Sequence, residues 1–392
     1  MMLPQIEVTP ATAFIDVPVH ITLSGFVPNQ LITLHATLKN GLPGGDLTAS
    51  SHAIFQADEN GSVDLVSQAP LFGTYEGIDP MGLFWSMNVQ TMRFYHAYSL
   101  DDFQFTPRST EIELTAEVND KPVAKAVVKR IFVSRDVWIQ KVTDHGLVGL
   151  YFSKPHPEQR PAIVVLGGSE GGIGSCSQFA ALFASHGYPA LALAYFQCND
   201  LPDDIRQIPI EYVQRAIHWL QQQPSVHPDK ITLFGRSKGA ELALVTASID
   251  QHVHAVIALS PSSAVSIGTD KAFAGSDTFS PQSSWSFQGG PLPFVEIPVE
   301  KINGPILFLS SDDDHWWPAA EHCEQMVERL KNHQFAHSVV HLRYPDTGHG
   351  IRFPYIPTTR TQLNGGTPKN NAYASEHSWR EVLQFLERTF PE

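Results

Sequence analysis

A strand that runs into a helix through a glycine-flanked serine constrains this chain more than any other feature. Residues 231–244 read ITLFGRSKGAELAL. Ile231, Thr232, Leu233 and Phe234 favour a strand, Gly235 breaks the run, and the residues from Ala240 to Ala247 are good helix formers. In a Gly-x-Ser-x-Gly turn of this kind the serine sits in a strained backbone that lifts its hydroxyl clear of the sheet. The flanking glycines are needed because a Cβ there would strike the neighbouring strand and helix. Ser237 is therefore the candidate nucleophile. The pentapeptide alone is weak, since an ordinary strand-to-helix turn can carry it. Its weight comes from the flanking elements and from the partners that follow it in order.

The surrounding pattern fixes the class of domain. Beyond Asp136, continuous apolar runs alternate with helical periodicity. Ile163 to Leu166, Ala190 to Ala194, the strand before Ser237, Ala255 to Leu259 and Ile306 to Leu309 read as strands buried on both faces. Helical spacing groups Val213, Ile217 and Leu220, then Cys323, Met326, Val327 and Leu330, then Trp379, Val382, Leu383 and Leu386. This predicts an α/β domain over residues 136–392, a mostly parallel sheet with helices on both faces and its site at the carboxyl ends of the strands. Residues 1–135 differ. Val19, Ile21 and Leu23, then Ile32, Leu34, Ala36 and Leu38, then Ile112, Leu114, Ala116 and Val118 alternate with polar neighbours between turn signals, which predicts an N-terminal antiparallel β-sandwich. Residues 261–301 are rich in Ser, Gly, Pro and aromatics, the composition of a lid or pocket wall.

A serine hydroxyl needs a base, and the base needs an orienting acid. After the strand ending at Leu309 comes Ser310-Ser311-Asp312-Asp313-Asp314-His315, in which Asp314 has the best position for the acid and Asp313 is the fallback. His349, in Gly348-His349-Gly350 after the apolar stretch ending at Leu342, follows the last strand as a triad base should. The tetrahedral intermediate requires two N–H donors. Lys238 supplies one, and the loop Gly167-Gly168-Ser169-Glu170-Gly171-Gly172, through Ser169 and Glu170, the other. Neither glycine-rich nucleotide motif is matched, so no cofactor is expected. Asp58, Glu59 and Asp64 read as solvated turn residues rather than metal ligands, and no metal is expected.

Composition narrows the partners. A formal charge of −14 over 392 residues argues against nucleic acid or an anionic membrane surface. No apolar run is long enough for a membrane span, the N-terminus lacks signal-peptide regions, and the C-terminus is not a Ser-Lys-Leu address. Three scattered cysteines match a reducing compartment, and cytoplasmic location is the expectation.

Several stretches resemble the acyl-CoA thioesterases related to bile acid-CoA:amino acid N-acyltransferase. They are residues 73–87 (GTYEGIDPMGLFWSM), 146–149 (GLVG), 192–196 (ALAYF), 208–212 (IPIEY), 237–242 (SKGAEL), Asp313-Asp314-His315 and Gly348-His349. The likeness spans nearly the whole chain. It implies a β-sandwich followed by an α/β-hydrolase domain, a fatty or other acyl-CoA as substrate, and catalytic roles for Ser237, Asp314 and His349. Two departures are Ser311, where the family often has glycine, and Ser169-Glu170 inside the glycine loop. Members that conjugate acyl groups to amino acids carry cysteine at the elbow, whereas Ser237 resembles the thioesterase branch. The leading expectation is an acyl-CoA thioesterase working through an acyl-serine. The alternatives are a carboxylester hydrolase, an acyl-CoA:amino acid N-acyltransferase, and a non-catalytic binding protein. Local cations for the CoA phosphates would be Lys238, Arg236, Arg352 and Arg360.

Overall fold

The computed structural model describes residues 3–38, 41, 45–94, 98–101, 103, 105, 108–155, 158–269, 279–359 and 364–391. They fall into two compact units that are not continuous in sequence. One comprises residues 1–95, 106–132 and 346–379, and the other residues 96–105, 133–345 and 380–392.

The first unit is built of mostly antiparallel sheets, one three-stranded and one seven-stranded. The larger sheet is centred on Leu31–Leu38, which pairs antiparallel with both Gly45–Gln56 and Ser109–Val118. The period-two reading holds here: Ile32, Leu34, Ala36 and Leu38 are buried on one face, with Ile112, Leu114 and Ala116 across from them. Residues 73–87 are ordered from within. Asp79 is buried and its carboxylate accepts the Met81 N–H at 2.9 Å and the Trp85 indole N–H at 2.8 Å. Residues 346–379, which follow the last strand in sequence, group with this unit. Thr358 N–H donates to the Trp85 carbonyl, Trp379 Nε1 donates to Asp16, and Phe353 meets Phe132 edge-on. The buried Arg130 donates to the carbonyls of Ile15 and Val17 at 2.7 Å each and lies over Phe84 and Tyr355.

The second unit holds an eight-stranded sheet. In chain order its strands are β1 (Trp138–Val142), β2 (Gly149–Ser153), β3 (Arg160–Leu166), β4 (Ala190–Leu193), β5 (Val226–Arg236), β6 (Ala255–Leu259), β7 (Ile306–Ser311) and β8 (Val339–Tyr344). Their spatial order is β1-β2-β4-β3-β5-β6-β7-β8. β2 runs antiparallel to both β1 and β4, and every other neighbouring pair is parallel. The helices of this unit are α1 (Gly174–Ser185), α2 (Ile210–Gln221), α3 (Lys238–Ile249) and α4 (Ala319–Asn332), while α5 (Pro368–Thr389) has residues 368–379 in the first unit and 380–389 in the second. β3, β4, β6 and β7 are buried along their described length apart from Arg160, which explains their unbroken apolar runs. This order and mixture of directions define an α/β-hydrolase fold, with Ser237 at the carboxyl end of the fifth strand.

Residues 261–301 are less irregular than their composition predicts. Ile267–Thr269 pairs with Phe279–Ser283, and Trp285–Phe287 pairs with both Ile208–Pro209 and Gly290–Pro291. Phe273 lies outside the described residues. Trp285 is fully buried, so it belongs to the core and does not line an open pocket.

Candidate active site

β5 ends at Arg236 and α3 starts at Lys238, which leaves Ser237 alone in the turn with φ 56 and ψ −121. A non-glycine residue in this region costs about 1–3 kcal/mol, and the surroundings hold it there. Ser237 N–H donates to the Leu259 carbonyl at 2.8 Å, and its own carbonyl accepts from Ala240 at 2.9 Å and Glu241 at 3.1 Å. The glycines are required on both sides. A Cβ on Gly235 would lie 2.2 Å from the Gly239 oxygen, and one on Gly239 would lie 2.2 Å from the Gly167 oxygen. Ser237 is only 4% exposed, so the hydroxyl sits in a recess rather than on the surface.

The glycine loop after β3 reaches this serine. A Cβ on Gly168 would stand 3.2 Å from Ser237 Cβ, so that glycine allows backbone to lie directly beside Ser237. Glu170 turns its carboxylate onto Arg236 Nη2 at 2.5 Å. Desolvation on its own would push the Glu170 carboxyl up. The Arg236 guanidinium and the Ser175 hydroxyl outweigh it and hold the group down to about 2. The negative side chain in the glycine loop is thus neutralised by the residue preceding the nucleophile.

Two of the cations expected at the CoA phosphates are committed elsewhere. Arg236 holds Glu170. Lys238 is buried, and its ammonium donates to Ile267 O at 3.0 Å, Ser284 Oγ at 2.8 Å, Ser266 Oγ and Glu241 Oε2 at 3.4 Å. Burial pushes its pKa down and Glu241 opposes the shift. Both side chains are thus held by protein partners, Arg236 by Glu170 and Lys238 by Glu241, Ser266, Ser284 and the Ile267 carbonyl. The Arg352 guanidinium lies 5.6 Å from the Phe353 ring, and Arg360 lies outside the described residues.

The three aspartates after β7 separate by partner. Asp312 pairs with Arg343, and Asp313 with His315 at 3.1 Å. Asp314 is half-buried, and its Oδ1 accepts the backbone N–H of Trp316 at 2.9 Å and of Trp317 at 3.4 Å. The Trp317 indole donates to Ser260 O at 3.1 Å, and Ser260 directly follows β6, to whose last residue Ser237 is bonded. The Ser237 turn and the Asp314 loop are therefore tied to the same strand end.

His349 lies in the other unit, on the turn after β8. It is buried, its N–H donates to Asn364 O at 2.7 Å, and Gly348 N–H donates to Asn371 Oδ1 at 2.8 Å. A Cβ on Gly348 would lie 2.1 Å from the Gly365 oxygen, so the residue before the histidine must be glycine.

Sequence reasoning missed Tyr195 and Glu241. The Tyr195 hydroxyl donates to the Gly167 carbonyl at 2.9 Å. Glu241 is fully buried and accepts from Ser266 N at 2.8 Å and Trp285 Nε1 at 2.8 Å, besides Lys238. The only available signal was that both fall within stretches that carried the family resemblance.

Fold and site define an enzyme of the α/β-hydrolase class. The comparison with known families is narrower. The model described as "Acyl-CoA thioester hydrolase/BAAT N-terminal region" matches residues 16–144, and "BAAT / Acyl-CoA thioester hydrolase C terminal" matches residues 208–281 and 287–391. The chain belongs to the acyl-CoA thioester hydrolase/BAAT family. Acyl-coenzyme A thioesterase 6 of Mus musculus is 30% identical, covering 95% of this chain and 93% of its own. Mitochondrial acyl-coenzyme A thioesterase 2 of Rattus norvegicus is 31% identical over 95% of this chain and 86% of its own. Acyl-coenzyme A amino acid N-acyltransferase 1 of Mus musculus is 29% identical over 99% of this chain and 98% of its own. Among the described residues no helix is long and apolar enough to cross a membrane.

Proposed function

We propose that the protein hydrolyses acyl-CoA thioesters to free acid and CoA, with Ser237 as nucleophile, His349 as general base and Asp314 as the orienting acid. The observation that carries this reading is the strained turn at Ser237, with φ 56 and only a glycine's width between it and the loop at Gly168, in a chain of this family. Backbone strain of this kind is retained where a side chain must be held outside its relaxed position. In the first half-reaction Ser237 Oγ attacks the thioester carbonyl as its proton passes to His349. The N–H of Lys238 and an N–H of the Ser169-Glu170 stretch stabilise the oxyanion, and the CoA thiolate departs with the proton. Water, deprotonated by the same histidine, then attacks the acyl-serine and releases the acid.

Asp314 is favoured over Asp313 because its carboxylate is half-buried and fixed by two backbone N–H groups, whereas Asp313 is exposed and paired with its neighbour His315. His349 is chosen from its place in the chain after the last strand. Arg352 remains a candidate for a CoA phosphate.

Amino-acid N-acyltransfer is the second reading, because transferases stand among the relatives at comparable identity. Serine at the elbow favours hydrolysis, since an acyl-serine is an oxygen ester and less prone to attack by an amine than an acyl-cysteine. CoA release from a series of acyl-CoAs, set against hydrolysis of esters with the same acyl groups, tests the proposal. Acyl-CoAs should be turned over with the higher kcat/KM. Turnover confined to the oxygen esters would make the protein a carboxylester hydrolase instead.

A further inference from the structure

Tyr195 lies just beyond β4, with its side chain buried under the glycine loop. Its hydroxyl is 2.9 Å from the carbonyl oxygen of Gly167 and 3.4 Å from that of Gly168. A trans peptide is a rigid plane in which the carbonyl and the following N–H point in opposite directions. Anchoring the carbonyl of Gly167 therefore aims the N–H of Gly168 away from Tyr195, and anchoring that of Gly168 aims the N–H of Ser169. Glycines have no Cβ to restrict these planes, so without an anchor they rotate with little penalty.

The ring is itself held. It packs against Phe196 at 5.0 Å and edge-on to Trp285 at 6.0 Å between centroids. Trp285 donates to Glu241 on α3, in the first turn after the nucleophile. At the far end of the loop, Glu170 is pinned to Arg236. Besides the Gly172 N–H bond to the Phe196 carbonyl at 3.3 Å, the loop is thus fastened by Tyr195 and by Arg236, and these two fastenings lead back to the elbow, one through Trp285 and Glu241 and the other through Arg236. Burial, reinforced by the nearby Glu170 carboxylate, raises the Tyr195 pKa well above the ordinary phenol, so the hydroxyl stays a donor.

We infer that Tyr195, with the Glu170–Arg236 pair, is a positioning residue that sets the aim of the glycine-loop peptides and, through the Gly168 carbonyl, that of the Ser169 N–H proposed as oxyanion donor. This rests on the reading of Ser237 as nucleophile. Tyr195→Phe keeps the ring and removes only the latch. Complete loss of an oxyanion donor costs about 10²–10³ in kcat, so a donor left in place but poorly aimed should cost about tenfold to a hundredfold. KM for acyl-CoA should stay within about twofold, because the latch acts on the tetrahedral state and not on ground-state binding. Affinity for an acyl trifluoromethyl ketone, which forms a tetrahedral adduct on the serine, should fall by the same factor as kcat. A substitution that only loosened the core would leave the ratio of adduct affinity to KM unchanged.

A Tyr195→Phe protein with kcat and adduct affinity both within about twofold of wild type overturns the inference. Fluorophosphonate labelling of the wild type separates the two levels. A Ser237 adduct together with a silent Tyr195→Phe rejects the latch alone, whereas no adduct on Ser237 rejects the nucleophile and the latch with it. Should Tyr195→Phe not fold, Glu170→Gln puts the same question at the other fastening, with the same pattern expected and an unchanged kcat overturning the proposal.

Discussion

At the scale of single residues, the site is a set of backbone conformations that only particular side chains permit. Ser237 occupies a left-handed turn between two glycines that cannot be enlarged, and Gly348 is equally fixed before His349. Removing the nucleophile or the base should abolish turnover without unfolding the chain, and the two losses should not add, because the members act as one unit. Among the aspartates, Asp314→Asn should lower kcat by roughly 10²–10⁴, while Asp313→Asn and Asp312→Asn stay within about threefold. Steady-state kinetics on the three variants checks this, and a reversed order would move the acid role to Asp313. Glu170 gives a prediction in pH. Its carboxyl ionises near 4.5 when unfolded and near 2 in the fold. The stability it contributes is therefore fully present above about pH 5 and is lost as pH falls toward 2. Urea midpoints of wild type and Glu170→Gln should differ at pH 7 and converge at low pH. Equal midpoints at pH 7 would show that the ion pair with Arg236 contributes nothing.

At the scale of elements, α3 carries both the nucleophile's neighbour and a buried charge pair. Lys238 and Glu241 have side chains 5% and 0% exposed, and they tie the helix to Ser266, Ser284 and Trp285. Lys238→Met alone would leave a buried carboxylate without its cation, at a cost of about 3–5 kcal/mol. The pair Lys238→Met with Glu241→Leu removes both charges and should cost clearly less than the sum of the singles. Denaturant unfolding of the four proteins reads this coupling directly, and additive losses would contradict it. These same elements mark how far sequence carries. The central strands β3, β4, β6 and β7 were legible because burial on both faces favours unbroken apolar runs, and the amphipathic helices α2 and α4 because one face is wet. β1 was not, since Trp138 is exposed and Lys141 pairs with Asp101 on an edge strand. α5 begins at Pro368, earlier than its apolar spacing indicates, because Asn371 and Ser375 fill its buried side with hydrogen bonds to Gly348 and Arg352.

At the scale of the whole molecule, the sequence pointed to Ser237 and to the loop after β7 as candidates but not to what holds them. Chain order locates Ser237, Asp314 and His349, because each follows a strand of one sheet. It says nothing of the Tyr195 bond to Gly167 or of the Glu241 bonds to Ser266 and Trp285, which are remote in sequence, and it shows Lys238 and Arg236 as local cations without the carboxylates they meet, Glu241 and Glu170. Residues 346–379 follow the last strand in sequence yet group with residues 1–95 and 106–132, through contacts such as Trp379 to Asp16 that no local pattern announces. The central claim is hydrolysis of acyl-CoA through an acyl-serine, in a family that also contains transferases to amino acids. Mass spectrometry of the products formed from acyl-CoA in ¹⁸O-labelled water with excess glycine tests it most directly. The account predicts free acid carrying the label, equimolar CoA, and neither from Ser237→Ala; a dominant N-acylglycine product, or turnover that survives Ser237→Ala, would contradict it.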